Sequence, residues 1–150
     1  MIIRKLETKD IESTVELWYK TSVITHNFIS TAYWRKNKEA MATIYLPNSE
    51  TFVSVENERI VGFIAISENY LAAIFVDNEL QGKGIGKTLL NFIKEKRSTI
   101  QLKVFKKNIQ SIEFYKSQNF NVVSDNTDEE TGELEFLMEW NKKEQYSVKK

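Results

Sequence analysis

The sequence predicts a mixed α/β (α+β) fold, in which a mostly antiparallel sheet carries helices on both faces. β-branched and alternating runs mark strands, apolar residues at helical spacing mark helices, and the two kinds of element follow in the order βααβββαβαββ. At 150 residues and 41% hydrophobic composition, the chain has the size and apolar content of one domain with a full core. We assign this domain to residues 1–140 and expect a polar tail at residues 141–150.

The first third of the chain is predicted to form one strand and two helices. Ile2 to Leu6 is a short strand, and the helix after it ends near Lys20. Thr21 to Ser30 shows no sustained period, so we expect a loop that carries bulky groups. Helical spacing resumes at Thr31, and Pro47, the only proline, is expected to stop it.

Three consecutive strands are predicted in the middle of the chain. Thr51 to Val55 and Ile60 to Ile66 flank a short polar turn and indicate a hairpin. Tyr70 to Val76 extends this hairpin as a meander and is apolar on both faces, so we expect a central strand that is covered on both sides.

The last third alternates between strands and one helix. Ile100 to Phe105 is a predicted strand, and Asn108 is a good cap for the helix that follows. Phe120 to Val123 and Glu135 to Trp140 are predicted as two final strands, joined by an acidic turn from Asp125 to Glu133.

Composition excludes several classes of function. The chain has 21 Lys and Arg residues and 21 Asp and Glu residues, so its formal net charge is zero. The net charge therefore does not indicate a nucleic-acid or membrane partner. The chain has no cysteine and a single histidine, His26, which excludes thiolate or histidine-cluster metal sites and disfavours a Ser-His-Asp triad. No apolar run approaches a membrane span, and the N-terminal residues lack a signal-peptide pattern. We therefore expect a soluble, cytoplasmic protein without a metal ion.

The most informative stretch runs from Gln81 to Lys87, between a predicted strand and a predicted helix. Three of the five glycines of the chain fall within it. Glycine permits a positive φ and close approach to a ligand, while a helix start presents unpaired N–H groups and the positive end of the helix dipole. Such a turn is a ready anion site, most often for phosphate, whereas a turn without a ligand would need only one glycine.

Spacing separates three phosphate-binding patterns. The dinucleotide fingerprint fails because its third glycine would fall at Lys87. A P-loop matches at Gly86-Lys87-Thr88, but its first glycine would fall at Gln81, and Asp77 to Leu80 separates the turn from its strand. The pattern Gln/Arg-x-x-Gly-x-Gly/Ala matches Gln81 to Gly86 at every defined position.

The stretch from Ile74 to Leu90 resembles the GNAT superfamily of acetyl-CoA-dependent N-acyltransferases, and in particular its small bacterial single-domain acetyltransferases. A second block, Asn108-x6-Tyr115-x4-Phe120, resembles a later helix and strand of the same family. The resemblance implies transfer of an acetyl group from acetyl-CoA to a primary amine of a small molecule or peptide. Without a cysteine to form an acyl-enzyme, direct attack in a ternary complex is expected.

The resemblance also implies where the cofactor binds. In the family, the pyrophosphate of coenzyme A lies on backbone N–H groups of the glycine turn, pantetheine pairs with the strand before it, and an Asn bonds the pantetheine arm. The implied cofactor-binding residues are Ile74, Phe75, Val76, Gln81, Gly82, Lys83, Gly84, Ile85, Gly86, Lys87 and Asn108. The residues alone also allow simpler interpretations, in which Lys83 and Lys87 are solvated lysines and Asn108 is only a helix cap.

Two catalytic residues are implied. Tyr115 lies two helical turns after Asn108 on the same face, and the family uses a Tyr there to protonate the departing thiolate. Glu68, just ahead of the central strand, is a candidate base for the amine, directly or through water. Tyr115 as a core residue, Glu68 as a solvated turn carboxylate and ordered water as the base are the alternatives.

The segment between the first two helices resembles the part of the family that overhangs the acceptor. It also resembles a small bacterial subgroup with a His-x-Phe-Ile loop. The implied substrate-binding residues are His26, Phe28 and Trp34, although a lone loop histidine is also ordinary polar surface. The acceptor amine is not identified, and a monomer and a homodimer both remain open. A non-catalytic acyl-CoA-binding sensor and a P-loop-type nucleotide binder are the alternative functions.

Overall fold

The structure is a computed structural model that describes residues 1–142. These residues group into two compact units. The first comprises Met1–Glu68 and Ala72–Leu90, and the second comprises Asn69–Leu71 and the chain from Asn91 onward. The assignment of residues 1–140 to one domain stays a prediction, and most of the predicted polar tail lies outside the described residues.

The described residues contain a seven-stranded sheet with the order β1-β2-β3-β4-β5-β7-β6. The strands are β1 (Ile2–Lys5), β2 (Glu50–Glu56), β3 (Arg59–Ser67), β4 (Tyr70–Val76), β5 (Thr99–Phe105), β6 (Asn121–Thr127) and β7 (Leu134–Asn141). β4 and β5 pair in parallel at Tyr70 and Gln101, whereas β1 with β2, β2 with β3, β5 with β7 and β6 with β7 pair antiparallel. The mixed, mostly antiparallel sheet predicted from the sequence is confirmed.

The helices occupy three parts of the chain. They are α1 (Ile11–Thr25), α2 (Thr31–Lys36), α3 (Lys38–Ala40), a π-helical stretch (Met41–Tyr45), α4 (Leu46–Asn48), α5 (Ile85–Lys94) and α6 (Ile109–Ser117), with 3-10 turns at Thr8–Asp10 and Asn78–Leu80. The stretch from α2 to α4 is almost continuous and corresponds to the second predicted helix. Within residues 1–142, no helix combines the length and apolar character needed to cross a membrane.

The first helix is longer than predicted. It continues past Lys20 to Thr25, because Thr21 and Ser22 lie buried on its inner face although neither is apolar. The backbone N–H of His26 donates to the Ser22 carbonyl at 2.8 Å. His26 therefore follows directly from a helix end rather than standing in an irregular loop.

The sequence predicts that the second helical stretch stops at Pro47. In the structure, Pro47 lies inside the last turn of that stretch. It stands at the second residue of α4, directly after the π-helical stretch. The stretch ends one residue later, at Asn48.

The acidic turn is shorter than predicted. Asp125 pairs with Phe136 and so belongs to β6, which ends at Thr127. The remaining turn is closed by hydrogen bonds from Asp128 N to the Glu133 carbonyl at 2.8 Å and from Gly132 N to the Asp128 carbonyl at 2.7 Å.

In the first unit, helices lie on both faces of β3. Phe63 stacks on Phe75 of β4 with ring centroids 5.6 Å apart, and Phe75 meets the edge of the His26 ring, at the end of α1, at 6.5 Å. The adjacent residue on β3, Gly62, faces the other way, where an added Cβ would lie 3.3 Å from the Ile85 side chain of α5. The predicted placement of helices on both faces of the sheet is confirmed at β3.

In the second unit, β5 and β7 pack one face into the core. Ile100 pairs with Trp140 and Leu102 with Met138, and all four side chains are buried. Because side chains alternate along a strand, Gln101 and the other intervening residues project from the opposite face.

Candidate active site

The end of β4 leads into the glycine turn through a short polar bend. Asp77 Oδ1 accepts a hydrogen bond from Glu79 N at 3.0 Å and so caps the 3-10 turn Asn78–Leu80. Gln81 Nε2 donates to the Val76 carbonyl at 3.4 Å. The side chain that begins the glycine motif therefore ties the turn back to the strand end.

The backbone of the turn explains its glycines. Gly82 and Gly84 have φ values of +81° and +85°, and nothing lies within 4 Å of a Cβ added at either position. Conformation rather than space therefore requires glycine here. The Gly84 carbonyl accepts hydrogen bonds from Thr88 N at 3.0 Å and Thr88 Oγ1 at 2.8 Å. The first N–H groups of α5, up to Lys87, thus precede its internal hydrogen bonds and lie at the positive end of the helix dipole, an arrangement that suits an anion.

The side chains around this turn differ in exposure. Lys83 and Lys87 are exposed, whereas Ile85 is buried in the core of the first unit. Gly86 lies inside α5. The turn therefore offers mainly backbone donors to an anion, and the contribution of the two lysines stays a prediction.

The prediction that β4 is covered on both sides is wrong. Only Leu71 is buried, Ala72 is exposed, and Ile74, Phe75 and Val76 are each partly exposed. Apolar side chains in a central strand are ordinarily packed away from water, whereas this strand keeps apolar surface uncovered directly before the glycine turn. An extended ligand with an apolar arm and a phosphate group matches this combination.

The three predicted acceptor residues lie together. The His26 ring stacks on Trp34 with centroids 5.4 Å apart and meets the edge of Phe28 at 5.8 Å. It also contacts Phe75 of β4, the strand predicted to hold pantetheine. The structure thus joins the segment after α1 to that strand through one aromatic cluster.

His26 is not the surface histidine that its sequence context allowed. The residue is 9% exposed, and burial lowers the pKa of its imidazole from 6.5 to about 4. The ring is therefore neutral near pH 7, and its low pKa makes it a weak base there. This environment favours contact with an acceptor over proton transfer from it.

Glu68 lies exposed in the two-residue turn between β3 and β4, with φ +54°. Its role as a base stays a prediction. Within residues 1–142, no group of three or more His, Asp or Glu side chains is arranged to hold a metal ion.

Asn108 and Tyr115 belong to the second unit. Asn108 Oδ1 accepts a hydrogen bond from Ser111 N at 3.2 Å, so this residue is the predicted helix cap, and its cofactor contact stays a prediction. The Tyr115 ring lies 5.8 Å from that of Phe120. Burial raises the pKa of Tyr115, with a smaller contribution from Tyr70, so the phenol stays protonated and is able to donate.

The sequence interpretation missed a polar group in the second unit. Glu135 is 8% exposed, and its carboxylate lies 3.9 Å from Lys103 Nζ. Burial raises the pKa of Glu135, and it also raises the pKa of Tyr70, which the charge of Glu135 raises further. The alternation of charged and apolar residues along β7 was the available signal, but it does not say which charged residue is buried.

Comparison with known proteins decides the family. The profile of the acetyltransferase (GNAT) domain matches residues 20–142. The chain belongs to the GNAT acetyltransferases. This assignment confirms the resemblance that the glycine motif indicated.

Several relatives of this GNAT protein are similar over most of its length. It is 31% identical over 140 residues to the peptidyl-lysine N-acetyltransferase YiaC of Escherichia coli K12, and the aligned region covers 93% of this chain and 96% of YiaC. Peptidyl-lysine N-acetyltransferase YjaB of the same organism is 30% identical over 121 residues, or 80% and 82% of the two chains. PaiA N-acetyltransferase of Thermoplasma acidophilum, solved in complex with coenzyme A, superposes with a TM-score of 0.79 at 25% identity, covering 93% and 98%.

Replacing Gly84 by Ala is expected to weaken binding of coenzyme A about tenfold or more. An L residue rarely adopts φ +85°, so the backbone donors of the turn would shift. Isothermal titration calorimetry measures the affinity.

Gly132→Ala is the matched control, because Gly132 has φ +76° and nothing lies within 4 Å of an added Cβ. Both variants should lose about 1 kcal/mol of folding free energy. Equal affinity for coenzyme A in the two variants would contradict a role of Gly84 in binding.

The buried imidazole also predicts a pH dependence of stability. Because the pKa of His26 is about 4 in the folded chain and its ordinary value is 6.5, the unfolded state binds more protons between these values. Stability is therefore lost as the pH falls from about 6.5 towards 4. In His26→Phe this contribution is absent, so the free energy of unfolding relative to wild type should rise by about 2 kcal/mol between pH 7 and pH 4.5. Urea unfolding at both pH values measures it, and an unchanged difference would contradict a buried neutral ring.

Proposed function

We propose that this protein is an N-acetyltransferase that transfers the acetyl group of acetyl-CoA to the side-chain amine of a lysine in a peptide or protein. The observation that carries the proposal is the left-handed glycine turn after a partly exposed apolar strand, in a GNAT chain. The lysine acceptor is supported by YiaC, a peptidyl-lysine N-acetyltransferase 31% identical to this chain. A cytoplasmic location belongs to the same proposal.

The glycine turn and β4 hold the cofactor in this proposal. The pyrophosphate accepts hydrogen bonds from backbone N–H groups between Gly82 and Lys87, where the positive end of the α5 dipole adds to the attraction. The pantetheine arm lies against Ile74, Phe75 and Val76, whose apolar surface is partly uncovered. Lys83 and Lys87 are exposed and add positive charge, and Asn108 contributes a side-chain amide.

Transfer needs an unprotonated amine and a proton for the leaving thiolate. The amine nitrogen attacks the thioester carbon, a C–N bond forms, the C–S bond breaks and the thiolate departs. Tyr115, whose pKa burial raises, stays protonated near pH 7 and donates a hydrogen bond that stabilises the departing thiolate. Glu68 or a water molecule accepts the proton of the amine, and a backbone N–H near Val76 stabilises the oxyanion.

The aromatic cluster of His26, Phe28 and Trp34 contacts the acceptor. The ring centroids of Trp34 and Phe28 lie 5.4 and 5.8 Å from that of His26. The His26 ring also contacts Phe75 of β4, the strand proposed to bind the cofactor. An apolar, rigid surface of this kind suits the methylene stem of a lysine side chain. His26 contributes a neutral ring.

The direct test is acetyl transfer to a panel of lysine peptides and small amines. We expect thiol release that depends on the acceptor, and a peptide mass increase of one acetyl group for each thiol released. Binding of acetyl-CoA without thiol release across the panel would instead identify a sensor. Absence of binding at millimolar acetyl-CoA, or stronger binding of ATP, would contradict the proposal altogether.

Tyr115→Phe is expected to lower the rate of turnover on the order of a hundredfold while the affinity for acetyl-CoA persists, since only the proton donor is removed. Steady-state kinetics and calorimetry separate the two effects. Tyr45→Phe is the control, because Tyr45 is 52% exposed and has no assigned role. If Tyr115→Phe and the control had equal turnover rates, a catalytic role of Tyr115 would be contradicted.

A further inference from the structure

The second unit presents a polar sheet face that the proposed reaction has not yet used. Gln101 pairs with Glu139 and Phe105 with Glu135, while Lys103 lies between them. Their side chains project to the face opposite that of Ile100, Leu102, Met138 and Trp140, because side chains alternate along strands. Tyr70 pairs with Gln101 in parallel and shares this face.

Glu135 differs from the other carboxylate on this face. Glu139 accepts hydrogen bonds from Gln101 Nε2 and Asn141 Nδ2, both at 2.7 Å. Glu135 is more deeply buried, at 8% exposure, yet the nearest cation in the described part of the chain is Lys103 Nζ at 3.9 Å, beyond hydrogen-bond distance. Its carboxylate oxygens therefore keep hydrogen-bond acceptor capacity that an incoming cation can use.

The ionisable groups around Glu135 connect it to the proposed proton donor. Burial raises its pKa, Lys103 opposes the shift and Asp128 adds to it. The charges of Glu135 and Asp128 also raise the pKa of Tyr70, and Tyr70 in turn raises that of Tyr115. The charge of Glu135 thus influences Tyr70, and Tyr70 influences Tyr115, within this unit.

We propose that Glu135 is a substrate-binding residue that pairs with the ammonium group of the acceptor. This inference rests on the proposed function and names the chemical class that the site selects, a cationic primary amine. A carboxylate binds such a cation through a charge-assisted hydrogen bond. The ammonium group replaces the long contact between Glu135 and Lys103.

The kinetic test compares Glu135→Gln with Glu129→Gln. Both remove one negative charge, but Glu129 is exposed in the turn between β6 and β7. Glu135→Gln should raise KM for a lysine peptide about tenfold or more, with KM for acetyl-CoA unchanged, because one charge-assisted contact is lost. Glu129→Gln should match wild type. Equal KM values for the peptide in the two variants would overturn the proposal.

A binding test separates this inference from the proposed function, because it needs no turnover. Nα-acetyl-lysine amide and its neutral counterpart Nα-acetyl-norleucine amide are titrated by calorimetry into protein saturated with coenzyme A. Wild type should prefer the lysine amide, and Glu135→Gln should lose that preference. A wild-type protein without this preference would overturn the inference, whereas failure of the proposed function would appear as absent thiol release.

Two further variants keep the test decisive if Glu135→Gln does not fold. Glu135→Asp retains the charge and should retain the preference for the lysine amide. Lys103→Met removes the internal cation and should tighten binding of the lysine amide several-fold, since Glu135 then lacks a competing partner. Unchanged binding in Lys103→Met, together with a lost preference in Glu135→Asp, would contradict a direct contact with the ammonium group.

Discussion

The left-handed backbone of Gly82 and Gly84 is the constraint on which the candidate site depends. Residues with a Cβ rarely adopt φ near +81° or +85°, so these two positions hold the turn in the conformation from which α5 starts. Gln81 secures the other side of the turn through the Val76 carbonyl. The position of the backbone donors relative to the end of β4 therefore follows from two glycines and one amide.

The second feature is the incomplete covering of β4. Its residues from Ile74 to Val76 keep apolar surface partly exposed, and Phe75 also supports the ring of His26. The strand proposed to bind pantetheine thereby contacts the cluster proposed to receive the acceptor. In the second unit, the raised pKa values of Tyr115, Tyr70 and Glu135 share one physical cause, the removal of ionisable groups from water.

Local patterns were predictable from the sequence, whereas burial was not. The glycine turn was predictable because glycine is the residue type that readily adopts a positive φ. The helix cap at Asn108 was predictable because it depends on a hydrogen bond to Ser111, three residues away. The end of α1 was misplaced because Thr21 and Ser22 are polar residues on a buried face. The burial of His26 depends on rings distant in sequence, and that of Glu135 on strand register, so neither is visible in a single stretch.

Hydrogen–deuterium exchange with and without acetyl-CoA tests the central claim most directly, because it reports on the backbone groups proposed to bind the cofactor. We expect acetyl-CoA to slow exchange in residues 82–87 and 74–76, while the turn at residues 128–133 serves as an internal reference for glycine-containing turns. Protection that appears elsewhere and leaves the glycine turn unchanged would contradict the account.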